Sequence, residues 1–160
     1  PPNILTAIIS RFTHRAIKAV ISFNAICDPS CESLLSGPWD ALHIVANCLL
    51  DNAFKFTGQG GTVRCHIRCE SHANNQVQVL LQVTDTGEGI PAIHQEVIFQ
   101  PFSQLEHYMT RRNNGIGIGL AIVRSFCDKL GGSLTLDSEP GKGSCFTCSL
   151  PFTETTADAT

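Results

Sequence analysis

Asn52, Lys55 and Phe56 stand close together near the end of a segment with helical patterning. An amide oxygen is a hard donor of the kind Mg²⁺ accepts, alongside several waters. Lys55, near the same helix end, can reach a phosphate, and Phe56 can stack on a base. Taken alone, an asparagine in a helix is more simply a solvated or capping residue. Asp85-Thr-Gly87-Glu-Gly89 follows an apolar run. Its two glycines permit positive φ and close approach of backbone to a ligand, and the Asp85 carboxylate can accept from an exocyclic amine. A plain turn after a strand has the same composition. Gly115-Ile-Gly117-Ile-Gly119-Leu120 feeds a second helical segment. Such a run presents N–H groups and the positive end of the helix dipole to phosphate. It is not a dinucleotide fingerprint, because no βαβ unit with a suitably placed acid surrounds it. No G-x-x-x-x-G-K-[ST] loop is present either.

The elements that must position these groups follow from periodicity. Residues 3–10 read as a short helix, 16–24 as a strand, and 25–37 as a loop with turn residues Asp28, Pro29 and Ser30. From Asp40 to Phe56, apolar residues at 42, 45, 46, 49, 50, 53 and 54 make one broad helical face. Gly58, Gly60 and Gly61 stop it. Residues 62–69 and 76–84 read as a hairpin across the polar turn 71–75. Pro91 opens a short helix to about Phe99. Residues 103–114 have no periodicity and read as a mobile loop. Residues 117–130 form a second long helix, ended by Gly131 and Gly132. Residues 133–137 and 144–150 pair across Glu139-Pro-Gly-Lys-Gly143. Helices interleaved with antiparallel hairpins predict an α/β fold: a two-layer α/β sandwich, its mixed, mostly antiparallel sheet covered on one face by helices. The domain is expected over 1–152, with 153–160 a flexible tail.

The bulk numbers fit one globular domain: 160 residues, 42% apolar and 16% charged. A net charge of −3 argues against duplex DNA or an anionic membrane as main partner. No apolar run reaches membrane-span length. Eight cysteines are present, but a core of this size needs no staples. Cys145-x-x-Cys148 falls in a strand-like run that puts the two sulfurs on opposite faces, unlike half of a zinc site. Reduced, mostly buried cysteines and a cytoplasmic location are expected.

The order and spacing of the three groups, with Gly141-Lys-Gly143 in the last hairpin, closely resemble the ATP-binding (catalytic) domain of sensor histidine kinases. That family shares a superfamily with gyrase, the ninety-kilodalton heat-shock chaperone and MutL. The resemblance covers 2–152. Asn52-Ala-Phe-Lys-Phe-Thr57 is similar to its N box, Asp85–Ile90 to its first glycine box and Phe99-Gln-Pro-Phe102-Ser-Gln104 to its F box. Gly115–Ile122 and Gly141–Phe146 are similar to the later glycine boxes. It implies a Bergerat-type fold, with ATP and Mg²⁺ as cofactors. It implies that Asn52 coordinates Mg²⁺, that Lys55 contacts phosphate, and that Phe56 packs on adenine. Asp85 would bond the adenine amino group in a pocket shaped by Gly87 and Gly89, and Arg111 would reach the γ-phosphate. Gly115, Gly117 and Gly119 would hinge a lid and cradle phosphates, with Phe99 and Phe102 anchoring its entry. On the same resemblance, Ile90, Leu120 and Thr147 would complete the nucleotide-contacting set, and catalytic roles would fall to Asn52, Lys55 and Arg111.

Two positions depart from the pattern. Where the family has a second Asn one helical turn before Asn52, this chain has Cys48, and Asn47 points about 100° away on an ideal helix. A thiol is too soft to stand in for an amide oxygen toward Mg²⁺. Asn114 replaces a usual Gly, a mild change because Asn tolerates left-handed backbone. Relatives that hydrolyse ATP keep a Glu at 48 as general base, so Cys48 also argues against a self-contained ATPase clamp. Asp51 is read as solvated. None of the six histidines is followed by an acidic residue, as the family's phosphoacceptor is. The resemblance therefore implies a donor of the γ-phosphoryl group to a histidine on separate dimerisation helices, with a response regulator or receiver domain downstream and no nucleic acid. This fragment would be monomeric, and the parent a homodimeric, membrane-bound sensor with a cytoplasmic kinase part. The alternative is a degenerate module, binding nucleotide weakly or not at all, that regulates a partner kinase by contact. Cys48→Asn should raise Mg²⁺-dependent ATP affinity, measured calorimetrically; an unaltered affinity would show that Cys48 is no handicap.

Overall fold

Ile4, Ile8, Phe12 and Ala16 recur at four-residue steps, and all four are buried. The computed structural model, which describes residues 4–28, 35–95 and 118–155, forms helix α1 (Ile4–Ala19) on that stripe. This corrects the sequence expectation of a helix over 3–10 and a strand over 16–24. The apolar stripe runs on through Phe12 and Ala16, so the helix continues with it. It ends where Val20 takes φ 55 and Ile21 N–H bonds Ala16 O at 2.9 Å. Strand β1 (Ser22–Cys27) follows.

A two-residue strand, β2 (Leu35–Ser36), leads into helix α2 (Trp39–Phe56). Trp39 Nε1 donates to Leu35 O at 3.0 Å and its ring meets Phe152 edge-on at 4.7 Å, which fixes the entry. The apolar face read from the sequence is buried from Leu42 to Phe54. Strands β3 (Thr62–Ser71) and β4 (Gln76–Asp85) make the expected hairpin, joined by a short 3₁₀ turn at Ala73–Asn75. Helix α3 (Ala92–Gln95) follows Pro91. Helix α4 (Ile118–Leu130), strand β5 (Ser133–Glu139) and strand β6 (Gly143–Glu154) complete the described chain. β6 continues two residues into the segment expected to be a flexible tail, because Thr153 and Glu154 pair with Ser36 and Leu35 of β2.

The sheet order is β1-β3-β4-β6-β2, with β5 also on β6; β1 and β3 are parallel and the other pairs antiparallel. Alternate residues of the central strands are buried: Val63, Cys65 and Ile67; Val79, Leu81 and Val83; Phe146, Cys148 and Leu150. Helix α2 lies against β3, β4 and β6, α4 against β5 and β6, and α1 against β1 and α2. The fold is the expected sandwich. Phe12 stacks on Phe54 with centroids 5.5 Å apart, and Phe23 meets Phe54 edge-on at 5.4 Å, locking α1 and β1 to α2. Asp85, the last residue of β4, faces Val63 on one side and Ser144 on the other.

Among the described residues, Cys27, Cys48, Cys65, Cys127, Cys145 and Cys148 are not disulfide-bonded. Cys69 is disulfide-bonded, which corrects the expectation that all are reduced. Cys148 is buried and Cys145 is not, so their sulfurs take opposite sheet faces. No group of three His, Cys, Asp or Glu is placed to hold a metal among the described residues, and no helix among them is long and apolar enough to cross a membrane.

Left-handed backbone costs a side-chain-bearing residue roughly 1–2 kcal/mol. Val20 is more than half exposed, so its side chain gains little from packing. Val20→Gly should therefore stabilise the domain by about 0.5–1 kcal/mol after the entropy glycine adds to the unfolded chain. Urea denaturation would show it, and a loss of stability would contradict the strain.

Candidate functional site

The site begins at the last two turns of α2. Asn52 is 8% exposed, and its Oδ1 is buried without a hydrogen-bond partner among the described residues. A buried carbonyl oxygen left unpaired is costly, and it suits a hard cation that takes oxygen donors. Asn47 Oδ1 is also buried and unpaired, but it lies on a face turned about 100° from Cys48. The Cys48 thiol is pushed above its ordinary value by burial and by the Asp51 charge, against Arg11. It stays protonated at neutral pH and offers Mg²⁺ no useful ligand.

Asp51 is not a solvated residue, as the sequence suggested. Its carboxylate binds Arg15 of α1 and, at 3.3 Å, Lys55 one turn on. Burial pushes this carboxyl up, but Arg15 and Lys55 outweigh it and hold it below the ordinary range. The Arg15 guanidinium also lies 5.5 Å above the Phe54 ring centroid. The pair thus ties α1 to α2 and holds the Lys55 ammonium near the helix end. Phe56 is half-buried against the core.

Two motifs meet where α2 ends. A Cβ on Gly87 would lie 2.5 Å from the Phe56 carbonyl oxygen and 2.9 Å from Asp85 Oδ1. Only glycine lets the loop after β4 lie against the helix. Gly89 takes φ +74, and a Cβ there would strike the Glu139 carbonyl. Asp85 is 7% exposed. Its Oδ1 accepts from Gly87 N–H at 2.8 Å, and the Ser144 N–H also bonds the carboxylate. Burial raises this carboxyl above its ordinary value, and those two N–H groups offset only part of the rise. Ile90 is buried and its N–H donates to Ser138 Oγ at 2.8 Å.

The structure thus brings Phe56, Asp85, Gly87, Gly89 and Ile90 together, with Asn52 one turn earlier on α2. Gly119 lies in the first turn of α4. Leu120 is 2% exposed in the core with Val123 and Cys127, so a part in the site falls to its backbone. Thr147 is misplaced by the sequence reading. It pairs with Gln82, receives a 3.5 Å hydrogen bond from Gln82 Nε2, and alternates with the buried Phe146 and Cys148. Its side chain therefore takes the sheet face opposite Asp85. Ser144, three residues earlier and on the face of Phe146, pairs with Asp85, and Gly143 lies against the Asp85 carbonyl. Ser138 was also missed. Arg111, Gly115, Gly117, Phe99, Phe102 and Asn114 lie outside the described residues.

The family model described as "Histidine kinase-, DNA gyrase B-, and HSP90-like ATPase" matches residues 37–154. The chain belongs to this family. Among its relatives are hybrid signal transduction histidine kinase D of Dictyostelium discoideum, 36% identical over 129 residues, and sensor histidine kinase RcsC of Salmonella typhimurium, 32% identical over 152 residues. These alignments cover 81% and 95% of this chain but 8% and 15% of the relatives. The chain thus spans a small part of their length. Its fold is that of the catalytic domain of histidine kinase ThkA, with TM-score 0.69 at 24% identity over 93% of this chain and 90% of that one. Full-length ShkA in complex with AMPPNP also shares it, with TM-score 0.75 at 24% identity over 97% of this chain and 30% of that one.

The buried Asp85 makes a pH prediction. Its pKa is raised on folding, so its contribution to stability is fully present below the unfolded value, about 3.9 for an aspartate. That contribution is lost as pH rises through the folded value. Asp85→Asn removes the buried charge. The variant's stability relative to wild type should therefore improve as pH rises from about 4 toward neutrality. Chemical denaturation across that range would show it, and a pH-independent difference would contradict it.

Proposed function

We propose that this domain binds Mg·ATP and donates the γ-phosphoryl group to a histidine on separate dimerisation helices of a two-component signalling protein. The observation that carries this reading is the buried Asp85 carboxylate. It is held by two backbone N–H groups beside the end of the helix that bears Asn52, whose Oδ1 has no partner among the described residues. An acceptor fixed in a glycine-shaped loop suits the amino group of adenine, and Phe56 lies at the same helix end to pack on the base. Asn52 would hold the metal and Lys55 a phosphate. Arg111 and the glycines at 115, 117 and 119 belong to the same reading through the family pattern. Bound Mg²⁺ would neutralise charge on the triphosphate. The protein's own part is to position the nucleotide, which is most of what phosphoryl transfer asks of an enzyme.

No carboxylate occupies position 48 to activate water, and its neutral thiol is a poor general base. The nucleophile is therefore imported: the histidine of the partner helices, with a receiver domain accepting the phosphoryl group afterwards. The parent would be a homodimeric sensor with this part in the cytoplasm. Cys48 also favours a second reading, in which a metal site short of one ligand leaves a regulatory module that acts on a partner kinase by contact.

ATP should bind to the isolated domain in a calorimetric titration, more tightly with Mg²⁺ than without it. Adding the dimerisation helices should then yield phosphohistidine. No binding at millimolar ATP would overturn the enzyme reading, and binding without phosphohistidine would leave the regulatory module.

A further inference from the structure

The loop that carries Asp85 is held from outside. Ser138 Oγ lies 2.8 Å from Ile90 N, 2.9 Å from Gly143 O and 2.9 Å from Ser144 Oγ. A serine hydroxyl has one proton to give and two lone pairs to accept with. Ile90 N–H only donates and Gly143 O only accepts. The Ser138 proton therefore goes to Gly143 O, and Ser144 Oγ must donate to Ser138. Every hydrogen-bonding capacity of Ser138 is used. Gln95 adds a second brace from α3, since its Nε2 donates to Ile90 O at 2.9 Å and to Ser138 O at 3.0 Å. Gly141 N–H closes the contact on Glu88 O at 2.8 Å.

These bonds join the two segments that supply the Asp85 carboxylate with its donors. Gly87 lies on the loop ending at Ile90. Ser144 lies directly after Gly143, at the mouth of the β5–β6 hairpin. A shift of either segment moves one N–H away from the carboxylate and turns it. We propose that Ser138 and Gln95 are positioning residues for recognition of the base, clamping the 85–90 loop to the hairpin so that the free face of the Asp85 carboxylate is aimed at an exocyclic amine. The inference rests on the reading of the site as an ATP pocket. It concerns the base end of the nucleotide, so its loss should affect selectivity for an amino-bearing base more than binding of the polyphosphate.

ITP supplies the probe, because it carries a carbonyl oxygen where ATP carries the amine. Affinities of ATP and ITP would be measured by calorimetry on wild type, Ser138→Ala, Ser138→Thr and Gln95→Met, with thermal melting of each. Wild type should prefer ATP. Ser138→Ala takes from Ile90 N–H its acceptor and from Gly143 O one of its donors. It should weaken ATP about tenfold, the loss expected for a buried hydrogen-bond partner, while changing ITP little, so that the preference collapses. Ser138→Thr keeps the hydroxyl and should restore the preference. Gln95→Met should narrow it in the same direction and tests the clamp even if Ser138→Ala does not fold. An unchanged ATP-to-ITP ratio in both Ser138→Ala and Gln95→Met, or an equal loss of both nucleotides, overturns the positioning role alone. Failure of wild type to bind ATP overturns the reading of the pocket and the inference with it.

Discussion

A carboxylate kept out of water is expensive unless something compensates it. At the end of β4, Asp85 is 7% exposed and is met by two backbone N–H groups, which do not fully offset its burial. Much of the surrounding structure follows from that constraint. Asp85 ends the central strand between β3 and β6, so its position is set by pairing on both sides. The next loop must fold back to deliver the Gly87 N–H. It can do so only because Gly87 has no side chain to strike the Phe56 carbonyl. The last hairpin must close against the same loop, and Gly89 lets it approach. Asp85 is thus held in a state that costs folding energy, as expected where a buried acceptor serves a ligand rather than the core.

The other half of the site depends on α2. Its wide apolar face sits on the sheet, and the stack of Phe12 on Phe54 fixes α1 beside it. Asp51 joins Arg15 to Lys55 across the same boundary. The packing that stabilises the helix therefore also sets where Asn52 and Lys55 stand. On the proposed reading, the side that would face the base is braced throughout. The side that would face the metal has Asn52, with a neutral thiol one turn away. This asymmetry makes nucleotide binding the firmer consequence of the fold and phosphoryl transfer the more demanding one.

Much of this was legible in the sequence. Seven apolar positions between 42 and 54 specified α2 because a long amphipathic helix leaves a strong periodic mark. Asp85 and its glycines were legible because close backbone approach excludes other residues. The misreadings have local causes. The run 16–24 is as apolar as a strand, and only the four-residue step from Ile4 to Ala16 shows that the helix continues. Thr147 was placed by a missed parity: Ser144, Phe146 and Cys148 share a face, and alternation from the buried Phe146 puts Thr147 on the other. Asp51 looked solvated because its partner Arg15 is on another helix. Ser138 carried no signal, since its role comes from a register between β5 and β6 that no short motif records.

On the proposed reading, the Asp85 carboxylate is buried in order to accept from the base. Calorimetric titration of Mg·ATP into wild type and Asp85→Asn tests it most directly, at a pH where both are folded. The asparagine variant should be folded and no less stable than wild type near neutral pH, yet lose most of its ATP affinity. Equal ATP affinity in the two proteins would contradict it.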